Sequence, residues 1–435
     1  MGLNSALYTA ITGLNAATYG INTSSNNIAN ANVKGYSRRS ISFSSAGYID
    51  TGVGYIGSGV KVDGVTRVKD VFLDGQIRDE VAKLNSANTQ KASLDYVESF
   101  LNEPSDSALS SQMSNMLNEF SKLANDPSSG TLKESTLQKV QMFTTSVNYT
   151  AKGYKTTLAD NNQIEANYVT RAEEIITDLQ ELNNSIATIT SNGSTPNELM
   201  DRRDVLIDEL SQYAHLEVTI NDDESFTISA KTTGADQPLV GGTPVAFNTI
   251  KDDLTEGKVK GIQDANTKIQ GYLDDFDSFV ETLATDMNTI QGNNGGGVMF
   301  TFTAGDAAET LTVHSDLIDG TRPINVGNPA NPSDGSNAFL FADLRAGNMS
   351  NGKNAQDQYN ELLVNVGTDI SNLDSDITTR EAVLNQLEQR KESISGVSID
   401  EETVDLMTFQ QAYEANARVM NVVQEMMDTL LGIFR

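Results

Sequence analysis

Near the start of this chain Leu3, Leu7, Ala10, Leu14, Ala17, Ile21, Ser24 and Ile28 follow one another in alternating steps of four and three. That is the period of a helix whose apolar seam faces another helix. At the other end Leu406, Phe409, Tyr413, Asn416, Met420, Val423, Met427, Leu430 and Phe434 keep the same spacing. There Ala412, Val419, Met426 and Ile433 widen the stripe. No helix can bury its own seam, so each of these two requires a cover, from the opposite terminus or from a neighbouring molecule. Gly13 and Gly20 each cost the first helix about 1 kcal/mol relative to Ala, which leaves it weak by itself. Asn416 is a single polar residue in the second seam, a device that sets register at a cost in stability.

Charge sharpens this reading. Residues 1–49 contain no Asp or Glu, only Lys34, Arg38 and Arg39, whereas residues 400–435 hold seven acids against Arg418 and Arg435. A difference in sign favours pairing between the two ends over self-pairing. Asp400, Glu401 and Glu402 stand where the dipole at a helix N-terminus favours negative charge. Over all 435 residues, 30 Lys+Arg face 59 Asp+Glu for a formal charge of −29. A field of that sign repels nucleic-acid phosphates and anionic lipid, so neither nucleic acid nor membrane is an expected partner. The chain has no Cys and only His215 and His314, which excludes disulfides, thiolate zinc sites and Cys nucleophiles. No apolar run reaches the roughly 20 residues of a membrane span. The first residues lack a basic segment followed by an apolar one, so no cleaved secretory signal is expected.

Between the ends, helical periodicity predicts segments over 70–101, 106–124, 131–160 and 168–189, a short helix opened by Pro196, and a long one over 363–394 stopped by Gly396. Period-two alternation marks Ile41 with Phe43, Val60 with Val62, then Leu216, Val218, Ile220, Phe226 and Ile228, and later Leu311 with Val313. Residues 221–225 have the composition of a hairpin loop, and a helix around 265–291 interrupts the region. The expected class is therefore mainly α with an inserted β-rich domain, elongated. The expected division is terminal coaxial helices at 1–35 with 400–435, a hairpin-rich connector at 36–69, a long-helix bundle at 70–214 with 341–399, and a projecting β-rich domain at 215–340.

Catalytic constellations are scarce. Gly52, Gly54 and Gly57 fit G-x-G-x-x-G, but a strand follows where a nucleotide site needs a helix. Paired acids at Asp222–Asp223, Asp252–Asp253 and Asp274–Asp275 have the chemistry of calcium ligands, which keeps a calcium-dependent surface adhesin as an alternative. No nucleophile–base or metal-ligand spacing occurs, so no enzyme, cofactor or metal is expected.

Several motifs carry a resemblance. They are Ala6-Leu7, Gly13-Leu14-Asn15-Ala16-Ala17, the run from Ser25 to Asn32, and Gly35-Tyr36-Ser37-Arg38-Arg39. At the C-terminus they are the run from Gly396 to Glu402 and that from Phe409 to Val419. Together they resemble bacterial flagellar axial proteins, and the Gly396–Glu402 lead is similar to the branch at the hook–filament junction. Weaker similarity continues through Phe72-Leu73, Glu198 to Asp204 and Gly271-Tyr272-Leu273. The resemblance implies a structural adaptor joining hook to filament, or alternatively a second junction or hook-type axial protein. It implies terminal helices in a coaxial core and copies of the chain in a ring beside the hook protein and the second junction protein. It further implies type III export from the cytoplasm to the extracellular flagellum, with an export chaperone on the C-terminal helix. The assembly residues would be Leu3, Leu7, Ala10, Leu14, Ala17, Ile21 and Ile28, with Leu406, Phe409, Tyr413, Asn416, Met420, Val423, Met427, Leu430 and Phe434 shared with the chaperone.

Overall fold

A computed structural model of the chain describes residues 2–50, 54–221, 224–347 and 349–433. In chain order the first elements are α1 (Gly2–Asn30), β1 (Arg39–Ser45), β2 (Tyr48–Asp50), β3 (Tyr55–Gly57), β4 (Val60–Arg67), α2 (Val71–Leu101), α3 (Leu109–Asn125) and α4 (Gly130–Ser191). Next come α5 (Asn197–Leu210), β5 (Leu216–Ile220), β6 (Phe226–Ala230), β7 (Gln237–Val240), α6 (Phe247–Ile250) and α7 (Lys258–Gly292). The last are β8 (Phe300–Thr301), α8 (Ala307–Thr310), β9 (Thr312–Val313), α9 (Ser315–Ile318), α10 (Ser336–Asp343), α11 (Ala355–Ser395) and α12 (Ile399–Ile433). The protein is mainly α with small sheets, as its periodicities predict.

The chain forms two compact units. One comprises Met1–Ala82, Arg171–Thr255 and Glu381–Arg435, the other Lys83–Thr170 and Glu256–Arg380. In the first unit β1 and β4 pair antiparallel with a bulge at Ser42/Phe43, and β2 pairs with β3. Both ladders lie within residues 36–69, where period-two alternation predicts strands. Strands β5, β6 and β7 form an antiparallel sheet in that order, whose buried face carries Leu216, Phe226 and Ile228. Asn183 of α4 anchors it: its Oδ1 accepts from Phe226 N at 2.9 Å and its Nδ2 donates to Phe226 O at 3.0 Å.

The second unit has an extended apolar core from α2, α3, α4, α7, α10 and α11, in which the fully buried rings of Phe120 and Phe341 stack at 4.5 Å. On α7, Ile262, Ile269, Phe276, Leu283 and Ile290 recur every seven residues and are all buried, so this helix is a core element.

Residues 215–340, expected as one β-rich domain, are divided between the units at Thr255/Glu256. The three-stranded sheet belongs to the first unit. Among the described residues of the second, the two-residue strands β8 and β9 pair, beside an isolated bridge between Thr303 and Asp306. The Gly-, Asn- and Pro-rich stretch after them closes on itself through side chains: Asp334 accepts from Asn328 N at 2.6 Å and from Ser336 N at 3.0 Å. Such bonds satisfy backbone donors that a ladder would otherwise take. The predicted segments 131–160 and 168–189 are one helix, α4, because no Gly or Pro interrupts residues 160–168 and a drift of apolar phase does not break a helix.

Candidate assembly interface

Helices α1 and α12 pack against each other in the first unit. A Cβ built on Gly13 would lie 2.6 Å from Oδ1 of Asn416, and one on Gly20 would lie 2.5 Å from the Phe409 ring. Seven residues forward on α1 thus correspond to seven residues back on α12, and the helices run antiparallel. The two glycines let the backbone of α1 approach α12 closely, as only a residue without Cβ allows.

The predicted N-terminal stripe lies on this face but not at its centre. Ala10 and Ala17 are buried, while Leu3, Leu7, Leu14, Ile21 and Ile28 are half-buried along its flank. The closest line is the small-residue register Ala10, Gly13, Ala17, Gly20, Ser24 and Asn27, in which Gly13 alone retains partial exposure. The signal was present in the sequence as two glycines one heptad apart, legible as a helix weakness or as a groove. On α12, Val423 is buried, and Leu406, Phe409, Asn416, Met420 and Met427 are half-buried. Tyr413 and Leu430 are exposed, and Phe434 lies outside the described residues. Asn416 donates to Ala412 O of its own helix at 2.9 Å while sitting over Gly13.

The outer faces are uncovered in this chain. Val419, Val422, Met426, Leu430 and Leu431 on α12, and Tyr8, Ile11 and Tyr19 on α1, are exposed. One side of each helix is therefore used in the pair, and a second apolar side is open.

Where α1 ends, the buried amide of Asn27 turns the chain back. Its Nδ2 donates to Arg39 O at 2.9 Å, and its Oδ1 accepts from Arg39 N at 3.0 Å and Tyr36 OH at 2.7 Å. Beside it Arg38 donates from Nε to Glu402 Oε1 at 2.8 Å and lies 3.5 Å from Glu401. Glu402 is 2% exposed. The motifs at the two ends of the chain are thus joined by one charge-assisted bond.

A second ionic cluster lies below. Arg67 reaches Asp201 at 3.1 Å and Asp204 at 2.6 Å; Lys69 reaches Asp204 at 2.6 Å and Asp74 at 2.9 Å; Lys391 reaches Asp74 at 2.9 Å. Burial opposes ionisation of Asp204, but Lys69, Arg203 and Arg67 outweigh it and hold its carboxyl far below the usual range. Asp74 is likewise lowered, with Lys69 and Lys391 overcoming burial. The 198–204 motif thus ties α5 to the connector through Arg67 and Lys69, and Lys69 and Asp74 extend the cluster to Lys391 of α11. A regular amphipathic pattern along this short helix would turn Asp204 and Asp208 outward. Asp204 is instead buried in this ionic cluster, and Asp208 pairs with Arg78 at 2.7 Å.

The other candidates do not converge. His215 pairs with Asp79 at 3.0 Å, and His314 accepts from Asp316 N at 3.2 Å. Asp252–Asp253 and Asp274–Asp275 lie on separate elements, while Asp222–Asp223 and Gly52 fall outside the described residues. Among the described residues no group of three or more His, Asp or Glu is gathered to hold a metal, and no helix is long and apolar enough to cross a membrane.

Comparison with known proteins agrees with these features. Residues 94–248 match the family described as the flagellar hook-associated protein FlgK helical domain. Residues 7–36 match the flagella basal body rod protein family, and 388–433 the C-terminal family of the flagellar basal body rod FlgEFG proteins. The chain is 26% identical to flagellar hook-associated protein 1 of Bacillus subtilis over 98% of this chain and 97% of that one. It is 24% identical to the protein of that name from Escherichia coli, over 99% and 100%. The solved structure of the flagellar hook junction protein FlgK from Burkholderia pseudomallei shares the fold with a TM-score of 0.58 at 13% identity, covering 74% of this chain and all of the other.

Proposed function

We propose that this chain, a relative of flagellar hook-associated protein 1 along nearly its whole length, is a structural adaptor that joins hook to filament in the bacterial flagellum. The observation that carries the reading is the α1–α12 pair, closed on one face and open on the other. An enzyme would shelter a reacting group; here the conspicuous surface is an uncovered apolar one at the paired ends of the chain, which is what a subunit polymerising through its termini requires. Copies of the chain cover these faces in a ring, with the hook protein on one side and the second junction protein on the other.

Before assembly, the subunit leaves the cytoplasm by the flagellar type III route. A chaperone shields α12 along the stripe from Leu406 to Phe434, because an exposed apolar helix is an aggregation hazard. The assembly residues Leu3, Leu7, Ala10, Leu14, Ala17, Ile21 and Ile28 act with their counterparts on α12 by closing the pair within each copy, which leaves Tyr8, Ile11 and Tyr19 with Val419, Val422 and Met426 to face the neighbours. The test is electron microscopy of cells lacking the gene. Hooks without filaments, together with flagellin shed into the medium, are the expected result. Normal filaments on such cells would exclude the role.

A further inference from the structure

Hairpin β2–β3 presents Tyr48 and Tyr55 at 72% and 71% exposure and Ile56 at 54%. The two tyrosine rings meet edge to face with centroids 4.8 Å apart, and the described residues of the two strands pair from Tyr48 with Gly57 to Asp50 with Tyr55, continuing the β1–β4 ladder through Ala46 N to Gly59 O and Ser58 N to Gly47 O. A two-stranded ribbon without a third strand is marginal in water unless something covers it. Its root is fixed to α1: Val60 N donates to Thr12 Oγ1 at 3.4 Å, and Gly59, at φ +105°, packs on Thr12 with no space for a Cβ. The hairpin is therefore a held, apolar projection.

The same unit carries the open stripe of α12, with Val419, Val422 and Met426 each about half exposed. That helix is acidic, exposing Glu414, Glu425 and Asp428 beside the single base Arg418, whereas α1 has no charged residue at all. Two copies meeting α12 to α12 would set acid against acid, a repulsive pairing. The surface of α1 is uncharged and its hairpin adds one acid, Asp50, so this pairing sets far less charge against α12.

We propose that the tyrosine-bearing hairpin of one copy seats on the outer stripe of α12 of the next copy, a head-to-tail contact. This rests on the assembly role proposed above and names the contact that propagates it. Because the two surfaces differ, the contact is heterologous, and repetition generates a ring or helix rather than a closed pair. Two tyrosines and an isoleucine bury at most about 500 Å², less than the roughly 800 Å² per partner of a stable interface. The exposed α1 residues Tyr8, Ile11 and Tyr19 share the contact. A lone pair of copies then holds weakly, and the array holds by repetition.

The native chain has no cysteine, which permits a clean cross-linking test. Ile56→Cys and Met426→Cys are placed together in the full chain, and hook–junction preparations from motile cells are oxidised. The expected result is a ladder of dimers and higher multimers that neither single variant gives. A dimer from Ile56→Cys alone, an internally bridged monomer without multimers, or an adduct with a different protein overturns the contact. So does the absence of any ladder in preparations that contain the protein. If the native protein is itself missing from these preparations, the assembly role fails and this contact falls with it.

Discussion

Gly20 of α1 lies directly against the Phe409 ring of α12: a Cβ there would come within 2.5 Å of Cγ and Cδ1. Gly13 has the same relation to Asn416 one heptad away. Helix propensity alone ranks Gly→Ala as stabilising by about 1 kcal/mol, but steric overlap at a packed contact costs about 1–3 kcal/mol. The overlap is with the root of the ring, which moves less readily than a flexible tip. Gly20→Ala is therefore expected to loosen the pair despite the better helix former. Gly75→Ala in α2, where a Cβ meets nothing within 4 Å, is expected to gain about 0.5–1 kcal/mol. Hydrogen exchange of α1 amides separates the outcomes: faster exchange in Gly20→Ala and none of that effect in Gly75→Ala.

The bond from Arg38 to Glu402 gives a second test. Glu402 is buried and Arg38 only partly so, so removing either is expected to cost about 1–3 kcal/mol. In a double-mutant cycle with Arg38→Ala and Glu402→Ala, a coupling of about 1–2 kcal/mol by urea denaturation is expected. Full additivity would mean that the two ends of the chain are joined by packing alone.

Acid should weaken the first unit. Asp204 and Asp74 have carboxyl groups held below their ordinary range by the lysines and arginines around them. A depressed native pKa contributes stability that is complete above the unfolded value near 4 and is lost as pH falls through the native value. Stability is therefore expected to be flat with respect to these two groups from about pH 7 to 5 and to fall below about 4. Asp204→Asn should lower stability at pH 7 by about 1–3 kcal/mol and flatten the acid limb. Urea midpoints measured across pH give the answer, and an unchanged acid limb in Asp204→Asn would remove this cluster as the cause.

Much of this architecture could be read from spacing, because a stripe at 3.5-residue steps has few other uses. Gly396 stops α11, and the residues that alternate from Leu216 to Ile228 are strands β5 and β6. The centre of the α1 seam was harder to see. Hydropathy weights Leu7 and Leu14, while the contact runs through Gly13 and Gly20, whose contribution is the absence of a side chain. The ionic cluster around Asp204 was hidden for another reason. Its acids and bases come from three separate stretches of chain, at 67–74, 201–204 and 391, and a carboxylate that will be paired looks no different in sequence from one left in water. The Gly-, Asn- and Pro-rich loops after Val313 bond their backbone groups to the side chains of Asp334 and Asn331 rather than to a neighbouring strand, a turn composition that the expected β-rich domain over 215–340 had absorbed.

The two faces of α12 can be separated by placing one carboxylate on each. Met420 is half-buried on the inner side, in the same unit as α1, whereas Val422 is 49% exposed on the outer side. Burying an unpaired carboxylate in an apolar contact costs several kcal/mol, so Met420→Asp is expected to release α1 in the isolated chain and raise its amide exchange. Val422→Asp leaves the isolated chain unchanged, since its side chain stays in water there. In cells both variants should lose incorporation into the flagellum, Met420→Asp because the pair opens and Val422→Asp because the neighbour's apolar surface meets a charge. In both, sheet β5–β7 should keep its native exchange protection. The decisive comparison is Val422→Asp: normal exchange with lost motility means that the outer face works only between molecules, whereas normal motility would show that it is left in water even in the assembled flagellum.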